Sequence, residues 1–215
     1  MKILQDIYPS AIEPLPFNIE KIASDLQLFQ YSLANNVFSD DLLNKLYSEI
    51  FTLNKNRNLK IAAVGRGDAH VLRKSIRTDK TKWIEGNNLA QCMFLAKLEE
   101  IRLQINRHLM LGLFDIEAHY AVYRPGDFYK RHLDSFIGGN NRLLSMVIYL
   151  NKSWLIEDGG LLNLYKDEGT IPIISVIPSW GNVVFFLSET VPHEVLVTNK
   201  DRYSIAAWFR CRQEI

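Results

Sequence analysis

Apolar positions change their period near residue 112. Before it, two stretches repeat on helical spacing. One covers about Asp40 to Leu53, opened by Ser39-Asp40-Asp41 as cap and first turn. The other runs from about Leu89 to Leu111, with Leu95, Leu98, Ile101, Leu103 and Ile105 among its apolar positions and Gly112 as its stop. From Glu117 onward short β-branched and aromatic runs alternate with Gly, Pro, Asn and Asp. They predict strands near 117–123, 128–134, 143–150, 161–165, 171–176, 183–187, 194–198 and 202–210. Turn signals fall at Arg124-Pro125-Gly126, Gly138-Gly139-Asn140, Asp158-Gly159-Gly160 and Pro178-Ser179-Trp180-Gly181-Asn182. Helices followed by eight short strands predict an α+β, mainly β fold: a jelly roll supported by N-terminal helices. Residues 1–215 are expected to form a single domain, with 1–112 mostly helical support and 113–215 the β core.

Composition narrows the partners. At 215 residues and 47% hydrophobic content the chain suits one sizeable core. With 25 basic against 24 acidic side chains there is no global field towards nucleic acid or an anionic membrane. Cys92 and Cys211 form no CxxC pair, which fits a reducing compartment. The first residues, with Pro9, Pro14 and Pro16, hold no signal-peptide core, and no run approaches a membrane span. A cytoplasmic protein is expected, with no nucleic-acid or membrane partner; the oligomeric state is left open.

Candidate chemistry begins at Tyr129-Lys130-Arg131-His132-Leu133-Asp134. On a strand His132 and Asp134 leave the same face and can grip one ion. The pair alone is a weak signal. His193, after Pro192 at the start of a predicted strand, supplies a third ligand if the jelly roll brings it back. Two histidines and a carboxylate on one side of an ion are the donor set of non-haem iron(II) oxygenases. On the last strand, alternation groups Arg202, Ser204, Ala206 and Trp208 on one face, and Tyr203, Ile205, Ala207 and Phe209 on the other. A buried guanidinium needs a carboxylate. Asp201 or Glu194 can supply one internally; a diacid cosubstrate is the sharper reading. Tyr149 shares a face with Leu143, Ser145 and Val147 and can aim its hydroxyl at the same carboxylate. Tyr123 and Tyr129 flank the turn before the metal pair and either line the pocket or pack.

Taken together, Tyr123-Arg-Pro-Gly, His132-Leu-Asp134, Arg142, Tyr149-Leu-Asn-Lys, Gly159-Gly160, Pro192-His193-Glu-Val and Asp201-Arg202-Tyr203 with Trp208 resemble, in order and spacing, the oxygen-sensing prolyl hydroxylases of animals and their bacterial relatives. Upstream, the segment from Ile76 to Gly86 is similar to the finger loop of that family, here about 70–86. The resemblance spans about residues 61 to 210. It implies a double-stranded β-helix core, Fe(II) held by His132, Asp134 and His193, and 2-oxoglutarate as cosubstrate with O2. It implies that Arg202 pairs with the distal carboxylate of 2-oxoglutarate, that Tyr149 hydrogen-bonds to it, and that Tyr123 lies near the chelating end. Arg142, Asp79, Trp83, Tyr129 and Trp208 would belong to the substrate side, and ascorbate would be a reductant the enzyme can use. The implied reaction hydroxylates a prolyl residue in a protein and releases succinate and CO2.

There are departures. Ala206 stands where the animal enzymes carry a threonine, and His119, on the face of Tyr123, is unusual. The sequence ends at Ile215 soon after the last strand and has no zinc-finger pattern at its start, so the animal enzymes' tail and accessory module are expected to be missing. Two other functions remain open: hydroxylation of a free amino acid or other small molecule, and a non-catalytic ligand-binding jelly roll. The Gly65-Arg66-Gly67 stretch lacks the strand–helix context of a dinucleotide fingerprint.

Overall fold

The alternation of side chains along each strand sorts one large sheet into a helix-covered face and a face that looks across a sandwich. The computed structural model describes residues 17–62, 75–135, 141–166 and 169–212. The Pro9, Pro14 and Pro16 start, the Gly65-Arg66-Gly67 stretch, the Gly138-Gly139-Asn140 turn and the first part of the finger segment lie outside them.

Three α-helices are described. The two expected ones are α2 (Asp40–Lys55) and α3 (Leu89–Leu109). Ser39 caps α2 by accepting from the Leu42 N–H, and Asn88 caps α3 by accepting from the Gln91 N–H. The stop of α3 is Met110, left-handed at φ 51°, two residues before Gly112. A further helix, α1 (Ile19–Phe29), precedes them, capped by Asn18. Its buried Ile19, Ile22, Ala23 and Leu26 have the spacing of an amphipathic helix.

All eight expected strands form, four of them shorter than the sequence suggests. They are β4 (Asp115–Tyr123), β5 (Tyr129–His132), β6 (Arg142–Tyr149), β7 (Leu162–Leu164), β8 (Ile174–Val176), β9 (Val183–Leu187), β10 (His193–Val195) and β11 (Arg202–Arg210). Three short strands from the N-terminal half join them: β1 (Tyr31–Ala34), β2 (Lys60–Ile61) and β3 (Lys80–Trp83). Every pairing is antiparallel. The major sheet has the order β1-β9-β6-β11-β4-β3-β2 and the minor sheet β5-β10-β7-β8, the double-stranded β-helix arrangement of a jelly roll.

Register fixes the two faces. On β11, Tyr203, Ile205, Ala207 and Phe209 join Leu144, Met146 and Ile148 of β6 and Ala118, Tyr120 and Val122 of β4 in a core with the helices. Leu43, Leu46 and Ile50 of α2 and Phe94, Leu98 and Ile101 of α3 cover them. Burying these side chains is worth roughly 1.5–3 kcal/mol each. The alternate residues, including Ala121, Tyr123, Tyr149, Val184 and Phe186, form a second cluster with Leu162, Leu164 and Val195 of the minor sheet. Polar groups collect on this inner face.

Candidate metal centre and cosubstrate pocket

His132 ends β5 and His193 opens β10, and the two are direct partners in the ladder. Their ring centroids lie 4.2 Å apart. Each Nδ1 meets a backbone carbonyl, Lys130 at 2.8 Å and Val191 at 3.1 Å. A carbonyl requires a donor, so the proton sits on Nδ1 and the Nε2 lone pair is free to ligate. Both Nε2 atoms face Asp134, at 3.5 Å from Oδ1 for His132 and 3.6 Å from Oδ2 for His193. One donor atom from each residue falls within 4.8 Å of the others, the geometry of a shared ion.

Asp134 corrects the expectation that both members of the pair stand on a strand. The strand stops at His132, where its pairing with β10 ends, and Asp134 turns inward from the segment beyond. The Ser135 N–H donates to the Ser188 carbonyl and anchors that segment. The Ser145 hydroxyl donates to Asp134 Oδ2 at 2.6 Å and itself lies 2.8 Å from the Ser188 hydroxyl. Burial works to raise the Asp134 pKa, but His193 and His132 outweigh it and hold the carboxyl well below its usual range. Burial, with His132 adding to it, lowers His193 to about 4, so its imidazole is neutral at physiological pH. A carboxylate and two imidazoles, oriented by a second ring of hydrogen bonds, fit a divalent transition metal.

Arg202 is 1% exposed. Its Nε donates to the Gly160 carbonyl at 2.8 Å and its Nη1 to the Ser204 hydroxyl at 3.2 Å. No carboxylate among the described residues pairs with it. Both internal candidates are engaged elsewhere: Asp201 with Asn54 and Tyr203, Glu194 with Tyr165 and Asn163. The guanidinium lies 5.0 Å from the Tyr123 ring centroid and 5.1 Å from that of Tyr149. The Tyr149 hydroxyl is buried beside this guanidinium without a well-formed hydrogen bond to any described residue, and burial, against the pull of Arg202, pushes its pKa up to about 12. A protonated phenol and an unpaired guanidinium side by side are a receptor for a carboxylate. Gly160 permits the close approach: at φ 63°, a Cβ there would lie 3.0 Å from Arg202 Cδ and 3.0 Å from Thr198 Cβ.

The remaining candidates surround these two centres. Tyr129 stacks on His132 at 3.6 Å, with the Arg77 guanidinium 4.3 Å from its centroid. Asp79 is 0% exposed, with both oxygens held by Arg77 at 2.7 and 2.6 Å. The enclosed Asp79 thus meets the Arg77 guanidinium, which in turn lies over Tyr129. Arg142 lies 3.7 Å from the Trp208 ring centroid and is bonded to Glu117 at 2.7 Å. Trp83 is 45% exposed and stands edge-on to His119 at 5.3 Å; Trp208 stands 5.0 Å from His119 on its own side.

Several contributors escape sequence reasoning. Ser145 and Ser188 support the triad, Phe186 packs 4.5 Å from His193, Glu117 holds Arg142, and Arg77 holds Tyr129. Alternation places Ser145 on the Tyr149 face and Glu117 on the His119 face; what they touch depends on the crossing of the two sheets.

Comparison with known proteins agrees with this geometry. The sequence model of the 2OG-Fe(II) oxygenase superfamily matches residues 118–210. Human Egl nine homolog 1 is 34% identical over 146 residues, 63% of this chain and 33% of that protein. The chain spans between 33% and 42% of the length of the first such relatives, from human, rat and mouse. The crystal structure of a Pseudomonas putida prolyl-4-hydroxylase matches with a TM-score of 0.81 and 37% identity, covering 90% of this chain and 99% of that one. A prolyl hydroxylase from Trichoplax adhaerens, solved with a hypoxia inducible factor peptide fragment, shares the fold at a TM-score of 0.78 and 23% identity over 89% of this chain and 90% of that one.

Proposed function

This chain belongs to the 2OG-Fe(II) oxygenase superfamily, of the prolyl-hydroxylase type, and on that premise we propose that it hydroxylates a prolyl residue in a protein or peptide. The observation that carries the oxygenase reading is the pairing of a His-Asp-His triad with a buried guanidinium that meets no carboxylate among the described residues. Identity to a prolyl-4-hydroxylase over almost the whole of that protein supports the prolyl part. A fold neighbour solved with a peptide fragment supports a polypeptide substrate.

In this proposal His132, Asp134 and His193 hold Fe(II), and Arg202 and Tyr149 take the distal carboxylate of 2-oxoglutarate. Bound iron, with O2, supplies the chemistry that converts 2-oxoglutarate to succinate and CO2 and hydroxylates a C–H bond. The chain supplies position and exclusion of water. Arg202 and Tyr149 orient the cosubstrate by a bidentate-capable cation and one neutral donor. Tyr123, its ring 5.0 Å from the Arg202 guanidinium, lies near the chelating end of the cosubstrate. Tyr129 packs on His132, while Arg142, Trp83 and Trp208 form the substrate side and Asp79 acts through Arg77. No side chain is required as an acid or base at the substrate carbon. Ascorbate as a reductant and a cytoplasmic setting belong to the same proposal; the free thiols Cys92 and Cys211 are compatible with a reducing compartment. No described helix is long and apolar enough to cross a membrane.

The test is mass spectrometry of cell-extract proteins incubated with the enzyme, Fe(II) and 2-oxoglutarate. An added oxygen on proline, absent with His132→Ala, is the expected result. Oxygen found only on another residue, or only on a small molecule, would sink the prolyl reading and leave the superfamily intact.

A further inference from the structure

His119 and Trp208 are neighbours on the inner face of the major sheet, and each brings one polar atom that no described residue satisfies. Ladder register puts Trp83, His119 and Ala206 in one row, with Trp208 two residues along β11. Ala206 contributes only a methyl group, so the row is low beside His119. The His119 Nδ1 donates to the Tyr120 carbonyl at 3.1 Å, which leaves Nε2 as an acceptor, and no described residue bonds to it. The Trp208 indole is 7% exposed, and its Nε1–H is buried with no acceptor. The charges nearby are already spent on one another, Arg142 on Glu117 and Arg77 on Asp79. Buried polar groups in native proteins are as a rule hydrogen-bonded, so the orphan Trp208 donor, on a ring 5.0 Å from that of His119 with its open acceptor, points to a ligand that both can meet.

We infer that His119 and Trp208 are specificity-determining residues that read one uncharged donor–acceptor group of the substrate, next to the residue that reacts. The group donates to His119 Nε2 and accepts from Trp208 Nε1–H. A flanking peptide residue offers this through its backbone N–H and C=O, and a flanking side chain through a hydroxyl or carboxamide. A carboxylate cannot donate to Nε2, and an ammonium cannot accept from the indole, so charged groups are disfavoured here. Burial, with Arg77 and Arg142 adding to it, lowers His119 to about 4, which keeps Nε2 an acceptor across the physiological range. The inference rests on the peptide reading above.

The test uses a peptide carrying the oxidised proline, compared with versions N-methylated at each flanking residue and versions with each flanking polar side chain replaced by Ala. Wild type, His119→Leu, His119→Gln and Trp208→Phe are assayed for KM and kcat, and for peptide dissociation constants without O2. Thermal unfolding midpoints report whether each variant is folded. Loss of one hydrogen bond predicts a rise of about fivefold to tenfold in KM and dissociation constant for His119→Leu and Trp208→Phe, carried in KM rather than kcat. His119→Gln, which keeps a neutral acceptor, restores most of the affinity. One modified peptide should bind wild type weakly and be indifferent to His119→Leu: an N-methylated one identifies the backbone, an Ala-substituted one the side chain. Turnover of the peptide by wild type with no change in His119→Leu and Trp208→Phe overturns the inference and spares the peptide reading. Equal loss across every modified peptide, or no rescue by Gln, overturns it as well. Failure of wild type to oxidise any peptide removes the peptide reading and this inference with it.

Discussion

At Tyr149 a phenol oxygen is buried beside Arg202 without a well-formed hydrogen bond to any described residue, and that makes binding and stability separable. Tyr149→Phe removes an unsatisfied group, so urea unfolding should show unchanged stability or a gain of up to about 1 kcal/mol. The same change should raise the KM for 2-oxoglutarate by about tenfold. Ser145 shows the reverse kind of dependence. Its hydroxyl orients Asp134 without reaching the metal position, so Ser145→Ala should weaken metal affinity by about tenfold in an equilibrium titration. His119 adds a pH dependence. Its folded pKa, about 4, lies below the ordinary 6.5, so the unfolded chain takes up the proton first and stability is lost as pH falls through the window from 6.5 to 4. His119→Gln should remove on the order of 2 kcal/mol of the loss between pH 7 and 4.5, read from urea unfolding at both pH values. At this scale alternation discloses Arg202, whereas His132, Asp134 and His193 stand out by residue type and by their place in a longer series of motifs, Asp134 lying beyond the end of its strand. Ser188 and Glu117 do not, because their meaning is a contact with a distant strand.

Gln91 carries a comparable load for whole elements. Its Oε1 accepts from the backbone N–H groups of Glu85, Gly86 and Asn87, and its Nε2 donates to Glu49, which also accepts from the Tyr120 hydroxyl. One side chain thus ties the turn after β3 to the start of α3, to α2 and to β4. Gln91→Ala leaves buried partners unsatisfied and should cost about 2–4 kcal/mol in denaturant unfolding. Elements were legible where they were long or strongly alternating, as α2, α3, β4 and β11 are. The short additions β1, β2 and β3 were not: β5, β7, β8 and β10 are as short but lie in longer apolar runs bounded by turn signals, whereas these three stand among helices and owe their strand form to neighbours already in place. The helix α1 had the right spacing, but only over eleven residues behind a run of prolines.

For the whole molecule, ligands that bind the folded state alone should raise its unfolding temperature in two separable steps. Fe(II) without O2 should give the first and 2-oxoglutarate the second, each worth about 2.7 kcal/mol at a hundredfold excess over its dissociation constant. Arg202→Met should keep the metal step and lose the second, as followed by differential scanning fluorimetry. The fold class was legible because helical and strand periods occupy separate halves of the chain. The convergence of β5, β10 and the segment after His132 on one point was not, because sequence order says nothing of how two sheets cross.

The two-faced register of the major sheet also bears on how such proteins diverge. Positions 119, 147 and 206 look inward, while their immediate neighbours 118, 120, 146, 148, 205 and 207 anchor the helices. Lineages can therefore exchange side chains at the first set and acquire new targets, while the second set keeps the scaffold folding as before. Descendants of one ancestor would then share a melting behaviour long after they have ceased to share a substrate.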